Sequence, residues 1–595
     1  MPFLRGKKNV TIMNFTSKTK TERPFLPPLI TEGHFIIAVI FLVGMGLRLF
    51  GIGFGLPYFS NFYIRPDETL IVVPGIRFFE TLGDPGGFAY PALLKMLCGI
   101  IFQAYFQVSR LFHITTINSI VDHFILDPSQ YFIVARSISV VSGSLTIFIV
   151  YKVAQKIFSR GTALLAALLI AVAPLSVRDS HFAVTDTLLA FLTTLCISIT
   201  LSYIEAPLKR ERRFLLMVSI VAGLALASKY SSLLLFPTVL LAIVLKQMEF
   251  PRKMMIQISI MFCVAFFVFM AINPYVILRH MEALKDVGGT VLAILNKPLS
   301  LHGWVIVSKI RQLLLVLSEG PGGVIGLQFS CLAFVLIKHG TKSLRIVAIL
   351  VISLLSLLTP ALLTYPLPYR YMIPALPLMA VFVAKGMTGV MALRLNKTLK
   401  ILVVIIIGLV VCSSFFQSFQ MSLILSRTDT RTLAWDWICR HVPMGVPIVI
   451  LGGPESEPQL FESSASLSHR IEYVHNLYGQ KGGDITSELY RLQLRDKKRQ
   501  TSGYRIVRNP ARFAEKDVAY CIVIPSYPLP MIRVEQVWGE TATVKIINQV
   551  HIKGFRGEKN GFKLDEVDAF FLPFNRLDDV LNPGPNMDIL FVQRG

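Results

Sequence analysis

Residues 401–424 read ILVVIIIGLVVCSSFFQSFQMSLI, twenty-four positions without a single charged side chain. A stretch of about 20 apolar residues is long enough for a helix to cross the hydrocarbon core of a bilayer. The same kind of run recurs upstream, at about 35–56, 131–155, 161–178, 186–204, 213–230, 232–246, 254–276, 321–337, 344–363 and 372–391. Eleven spans are therefore expected, in a polytopic α-helical membrane protein of about 11–13 transmembrane helices. The composition agrees. Of 595 residues 53% are hydrophobic and only 16% are charged, where soluble chains carry roughly 25% charged residues. A soluble multi-domain enzyme, a disordered chain and a fibrous chain are excluded. The alternating ten-residue segments of an outer-membrane barrel are not seen.

The net charge is +23. Its Lys and Arg cluster between the apolar runs, where they orient helices and meet anionic lipid. No basic stripe with interleaved aromatics suggests nucleic acid. Seven cysteines form no C-x-x-C pair, and Cys98, Cys196, Cys263, Cys331 and Cys412 fall inside apolar runs. They read as small buried hydrophobes rather than disulfide or zinc partners. Residues 1–34 are polar and basic, which reads as a cytoplasmic segment before an anchor that stays, not as a cleavable signal.

Charge asymmetry gives the expected orientation. Arg5, Lys7, Lys8, Lys18, Lys20 and Arg23 keep the N-terminal segment in the cytoplasm. The basic loops around 152–160, 209–213, 246–253, 338–345 and 394–400 then share that side, provided that 90–107 does not cross. That run is expected to lie in the interface within a long outer loop, 57–130. The run 304–318, interrupted by Lys309 and Arg311, is expected to do the same. The membrane domain then covers 35–426. Residues 427–595 are mixed and polar, with strand-like runs at Pro447–Leu451, Val518–Ile524 and Ala542–Ile547. They read as an extracytoplasmic α/β domain.

The charges at the outer ends of the spans carry the chemistry. Arg65-Pro66-Asp67-Glu68 follows the first span. Carboxylates at a membrane surface are costly without a role. Asp67 reads either as a general base or as the N-cap of a following helix. Arg178-Asp179-Ser180-His181 leads to Asp186, a second acid at a helix start, where the positive end of the helix suits anions. Arg136, Lys229-Tyr230 and Arg370-Tyr371 are outer cations that positive-inside logic does not explain. A lipid-linked phosphate explains them better, with snorkelling to headgroups as the alternative. No nucleotide-binding or hydrolase motif is present, so the driving force is expected to come with an activated substrate.

In this order the motifs resemble glycosyltransferase family 39, within the membrane C-superfamily. That group includes protein O-mannosyltransferases and the lipid A aminoarabinose transferase. The resemblance rests on Arg65–Glu68, Tyr90-Pro91-Ala92-Leu93-Leu94, Ala135-Arg136-Ser137, Ser180–Asp186, Ser228-Lys229-Tyr230, and Arg370-Tyr371 with Pro374 and Pro377. Asp429–Ala434 with Trp437-Ile438, Asp568–Phe574 and Pro583-Gly584-Pro585-Asn586 extend it into the tail. It implies a dolichyl- or polyprenyl-phosphate sugar donor and inverting transfer on the extracytoplasmic face. It implies Asp67 as the catalytic base, Asp186 as a second acid, and Arg370 on the donor phosphate. The full candidate set is Asp67, Glu68 and Asp186 for catalysis; Arg370, Arg136, Lys229 and Tyr371 for the phosphate; and Tyr90, His181 and Tyr230 for substrate. No cofactor is called for, although two carboxylates could hold a hard divalent ion. The acceptor stays open among lipid, glycan and protein. The tail lacks the repeats of eukaryotic protein mannosyltransferases, which speaks against a protein. A flippase of lipid-linked sugars and a surface-polysaccharide polymerase or ligase are the competing readings.

Overall fold

The computed structural model describes residues 32–58, 65–295, 303–336, 341–364, 366–452 and 456–472. Beyond these it describes 490–491, 493–494, 503–508, 519–525, 544–556, 562, 564–565 and 572–594. The basic N-terminal residues that set the expected orientation, and the motif residues 568–571, lie outside the described set.

Each of the eleven expected spans is helical. Seven helices among the described residues are long and apolar enough to cross a membrane, or eight if one bent pair counts as a single span. The protein is a polytopic α-helical membrane protein with a C-terminal sheet domain. Helix Ser129–Ile157 has 29 residues, roughly 43 Å at 1.5 Å per residue. Helix Thr185–Glu205 is buried along most of its length, because Ser129–Ile157, Leu208–Ser228 and the turn Tyr369–Ala375 pack around it. Small residues permit the closest crossings. A Cβ at Gly223 would lie 2.6 Å from the Ala265 carbonyl oxygen, so Leu208–Ser228 and Pro251–Ile272 meet backbone to backbone.

Three expected spans differ from simple rods. The run 161–178 is two helices, Arg160–Ala171 and Pro174–Asp179, since Pro174 has no N–H to continue the first and disfavours helix in the residue before it. The run 213–230 begins earlier, at Leu208, inside its basic loop. The runs 304–318 and 321–337 belong together: Val307–Ser318 and Gly323–Ala333 meet at 97°. The elbow is Gly320-Pro321-Gly322-Gly323, with φ of +76° and +61° at the last two, a region that glycine enters without steric cost. So 304–318 is one arm of a broken or re-entrant element rather than an isolated surface helix. Helix Leu93–Leu111 is not among the helices long and apolar enough to cross. Three of the cysteines expected to be buried, Cys263, Cys331 and Cys412, are exposed on helix faces.

The sheet domain contains β1 (Pro447–Ile450), β2 (Arg505–Val507), β3 (Ala519–Pro525), β4 (Val544–Ile552) and β5 (Met587–Arg594). The order is β2-β1-β3-β5-β4. β1 runs parallel to β2 and β3, and β5 is antiparallel to β3 and β4. Side chains alternate between the two faces. Ile448, Ile450, Cys521, Val523, Met587 and Ile589 face helix Thr430–His441 through Ala434 and Ile438. Val449, Leu451, Ile522, Ile524 and Val592 form the opposite layer. Between β4 and β5 the chain returns to the helical bundle, where Phe555, Leu572, Phe574, Leu577 and Val580 join its core. The two tail motifs meet there. The Thr430 N–H donates to the Pro583 carbonyl at 2.8 Å, and Asn586 Oδ1 accepts from the N–H groups of Gly554 and Phe555.

Candidate active site

Asp67 stands in the first turn of helix Pro66–Arg77 and makes no capping bond; the N-cap position is held by Arg65. Its carboxylate instead pairs with the Arg370 guanidinium, which is carried by the 3-10 turn Tyr369–Ala375. Pro366 and Pro368 set the approach to that turn, because neither can enter it as an N–H donor. The pair is part-exposed, with side-chain exposures of 13% for Arg370 and 21% for Asp67.

Asp186 likewise does not cap its helix, which starts at Thr185 with Val184 at the N-cap. It accepts a hydrogen bond from Lys229 Nζ at 2.6 Å. That ammonium also lies 4.8 Å from the centre of the Tyr371 ring, close enough for a cation–π contact. Tyr371 follows Arg370 in the chain. Asp67, Arg370, Tyr371, Lys229 and Asp186, from four distant parts of the sequence, thus form one continuous run of contacts.

Three members of this run, Asp186, Lys229 and Tyr371, line a cavity of about 710 Å³, while Asp67 and Arg370 continue the run beyond that lining. Asp186, Lys229, Tyr371, Tyr90 and Tyr230 supply its polar lining, and Leu189, Leu226, Phe266, Phe269 and Leu357 are among its apolar walls. The segment before helix Leu93–Leu111, which carries Tyr90, is pinned from outside. Asn273 Oδ1 accepts from the Ala92 N–H at 2.7 Å, and Asp286 Oδ2 accepts from the Phe88 N–H at 3.2 Å. Neither residue stands out in the sequence; Asn273 shows only as the Asn-Pro pair that closes helix Pro251–Ile272. A mostly apolar cavity with a few polar groups at one end suits an amphiphile.

Three other candidate residues, the Arg136–Glu68 pair and His181, have a different setting. Arg136 and Glu68 are wholly buried and bonded to each other twice, both at 2.8 Å. Arg136 also donates to the carbonyls of Ile52 and Phe54 and to the Tyr58 hydroxyl. Glu68 Oε1 accepts further from the Ala183 N–H at 2.8 Å. These contacts engage every guanidinium nitrogen. Neither residue is part of the cavity lining. His181 is buried, with its ring nitrogens 2.9 Å from the carbonyls of Val177 and Phe50, so it ties a turn to the end of the first helix and reaches no substrate. Among the described residues no three His, Cys, Asp or Glu side chains gather into a set that could hold a metal ion. Each of the three candidate acids faces a cation instead, a donor set that does not fit a divalent ion.

Residues 129–277 match the family model described as dolichyl-phosphate-mannose-protein mannosyltransferase. The match covers about a quarter of the chain and holds the Arg136, Asp186, Lys229 and Tyr230 positions. No curated protein is matched. The fold is similar to that of ArnT from Cupriavidus metallidurans bound to undecaprenyl phosphate, at 12% identity and a TM-score of 0.46, covering 83% of this chain and 92% of that one. It is also similar to the oligosaccharyltransferase AglB from Archaeoglobus fulgidus, in complex with an inhibitory peptide and a dolichol-phosphate, at 13% identity and a TM-score of 0.43. The match covers 71% of this chain and 62% of AglB, so the chain spans about three fifths of that protein's length.

Proposed function

We propose that this protein moves a sugar from a polyprenyl-phosphate donor to an acceptor on the extracytoplasmic side of the cell membrane, with inversion at the anomeric carbon. The observation that carries the reading is the contact run from Asp67 through Arg370, Tyr371 and Lys229 to Asp186, the last three of which line an apolar cavity. Asp67 pairs with Arg370 and Asp186 with Lys229. A donor phosphate entering the mouth competes for Arg370 and Lys229, whose charges then stabilise the departing phosphate. That competition releases Asp67. The acceptor hydroxyl attacks the anomeric carbon, the bond from that carbon to the phosphate oxygen breaks, and the hydroxyl proton passes to Asp67. Asp186 keeps Lys229 in place, and Tyr90 and Tyr230 line the path of the sugar or the chain.

In this reading Glu68, Arg136 and His181 serve as structural fixings beneath the site rather than as chemical groups. Residues 1–34 form the cytoplasmic segment, 35–426 the transferase domain and 427–595 an extracytoplasmic domain. The test is release of undecaprenyl phosphate from undecaprenyl-phosphate mannose by the purified protein in detergent, with an envelope lipid and glycan extract supplying acceptors. A new glycosidic bond of opposite anomeric configuration, seen by NMR and lost in Asp67→Asn, is expected. Transport without bond formation would favour a flippase, and transfer of whole glycans would favour a polymerase or ligase.

A further inference from the structure

The turn that carries Arg370 is fastened by a side chain nearly two hundred residues away in the sequence. Asp565 is 1% exposed and belongs to the tail segment that returns from the sheet domain to the bundle. Its Oδ2 accepts a hydrogen bond from the Tyr369 N–H at 3.1 Å. The same oxygen lies 3.5 Å from Arg178 Nη2. A second contact runs alongside. The Tyr369 ring stacks on Phe574 at 5.1 Å and 20°, and the Arg178 guanidinium lies 4.6 Å from the centre of the Phe574 ring. One buried carboxylate and one ring therefore join three segments: the turn before Asp186, the turn before Arg370, and the tail.

A buried carboxylate is retained at a cost unless it is paired and hydrogen-bonded. Here both conditions are met by groups that flank the candidate site. Arg178 is additionally paired with Asp179 at 2.8 Å, so Asp565 is not needed to neutralise it. What Asp565 alone adds is the hold on the Tyr369 amide, one residue before Arg370.

We infer that Asp565 is a positioning residue, which with Phe574 fixes the Tyr369–Ala375 turn so that Arg370 meets the donor phosphate. The tail is then a working part of the donor site, although it supplies no group that touches the donor. The inference rests on the lipid-phosphate reading above. A misplacement of about 1 Å can cost as much as a hundredfold in a site of this kind.

The experiment measures binding of undecaprenyl phosphate to the purified full chain in detergent, together with the donor KM. Wild type, Asp565→Ala, Arg370→Ala and the double variant form a cycle. Expected is a tenfold to hundredfold weaker affinity and a raised donor KM for Asp565→Ala. The double variant should be no weaker than Arg370→Ala, because contacts that act through one another are not additive. Asp565→Asn keeps an oxygen for the Tyr369 amide and should recover most of the loss. If Asp565→Ala does not fold, Phe574→Leu takes its place in the same cycle. Additive losses, or wild-type affinity in Asp565→Ala, overturn the inference and leave the donor reading standing. Failure of the wild type to bind undecaprenyl phosphate overturns the donor reading and this inference with it.

Discussion

Two groups of paired charges, one in the sheet domain and one among the helices, are built on different plans. In the sheet domain, Glu457, Glu462, Arg470 and Arg508 form a closed quartet. Arg508 bonds Glu457 at 2.7 Å and Glu462 at 2.8 Å, and Arg470 bonds Glu457 at 3.0 Å and also Glu462. Each acid has two arginines and each arginine two acids. In the candidate site, Asp67 pairs with Arg370 and Asp186 with Lys229, and three of the four side chains keep some exposure. A closed quartet has no room for a newcomer. An open pair can trade its partner for a substrate group, and that readiness distinguishes a site from a fixing. Arg136–Glu68 lies near the mouth in sequence and space, yet it follows the closed plan.

The contrast can be broken in descending order of effect. Asp67→Asn should lower turnover by about 10² to 10⁴-fold, the usual worth of general-base help. Its stability should move by no more than about 1 kcal/mol, because a part-exposed pair contributes little. A stability loss matching the activity loss, read by thermal unfolding in detergent, would place Asp67 with the fixings. Glu68→Gln should cost about 3–5 kcal/mol of stability by leaving the Arg136 charge buried without its counter-ion. Glu68→Leu combined with Arg136→Met should restore much of that, since an apolar pair of similar volume removes both charges. The third and smallest effect is on pH. Burial pushes the Glu462 carboxyl up, but Arg508 and Arg470 outweigh it and hold the group down at about 2, against an ordinary value of 4.5. Its folded value lies below the unfolded one, so its contribution is complete above about 4.5 and is lost as the pH falls toward 2. Unfolding of the full chain followed between those limits should show this slope, and Glu462→Gln should flatten it.

The helices were legible because apolar run length is a one-dimensional property. The broken ones were legible only in part. Pro174 is visible in the sequence, but Lys309 and Arg311 suggested a surface helix where the Gly320–Gly323 elbow instead makes a bent pair. Three of the five strands were read, β1 and β3 closely and β4 less well, since its alternation is interrupted by the register shift between Ile546 and Asn548, whereas β2 and β5 were not singled out. For the site, the sequence singled out charged residues at outer helix ends, and the structure brings four of them, with Tyr371, into one contact run. It could not separate the open from the closed. The acceptors that saturate Arg136 include the carbonyls of Ile52 and Phe54, which any residue type could have supplied. Nor could it find Asp565, whose partner is a backbone amide 196 positions away.

The strand order carries a consequence for how the molecule is made. β5 lies between β3 and β4, so the edge of β3 stays bare and β4 has no neighbour until Met587–Arg594 has left the ribosome. The tail segment just before β5 enters the helical bundle at Phe574. A nascent chain can thus thread its described helices and still hold an open sheet until β5 slots between β3 and β4.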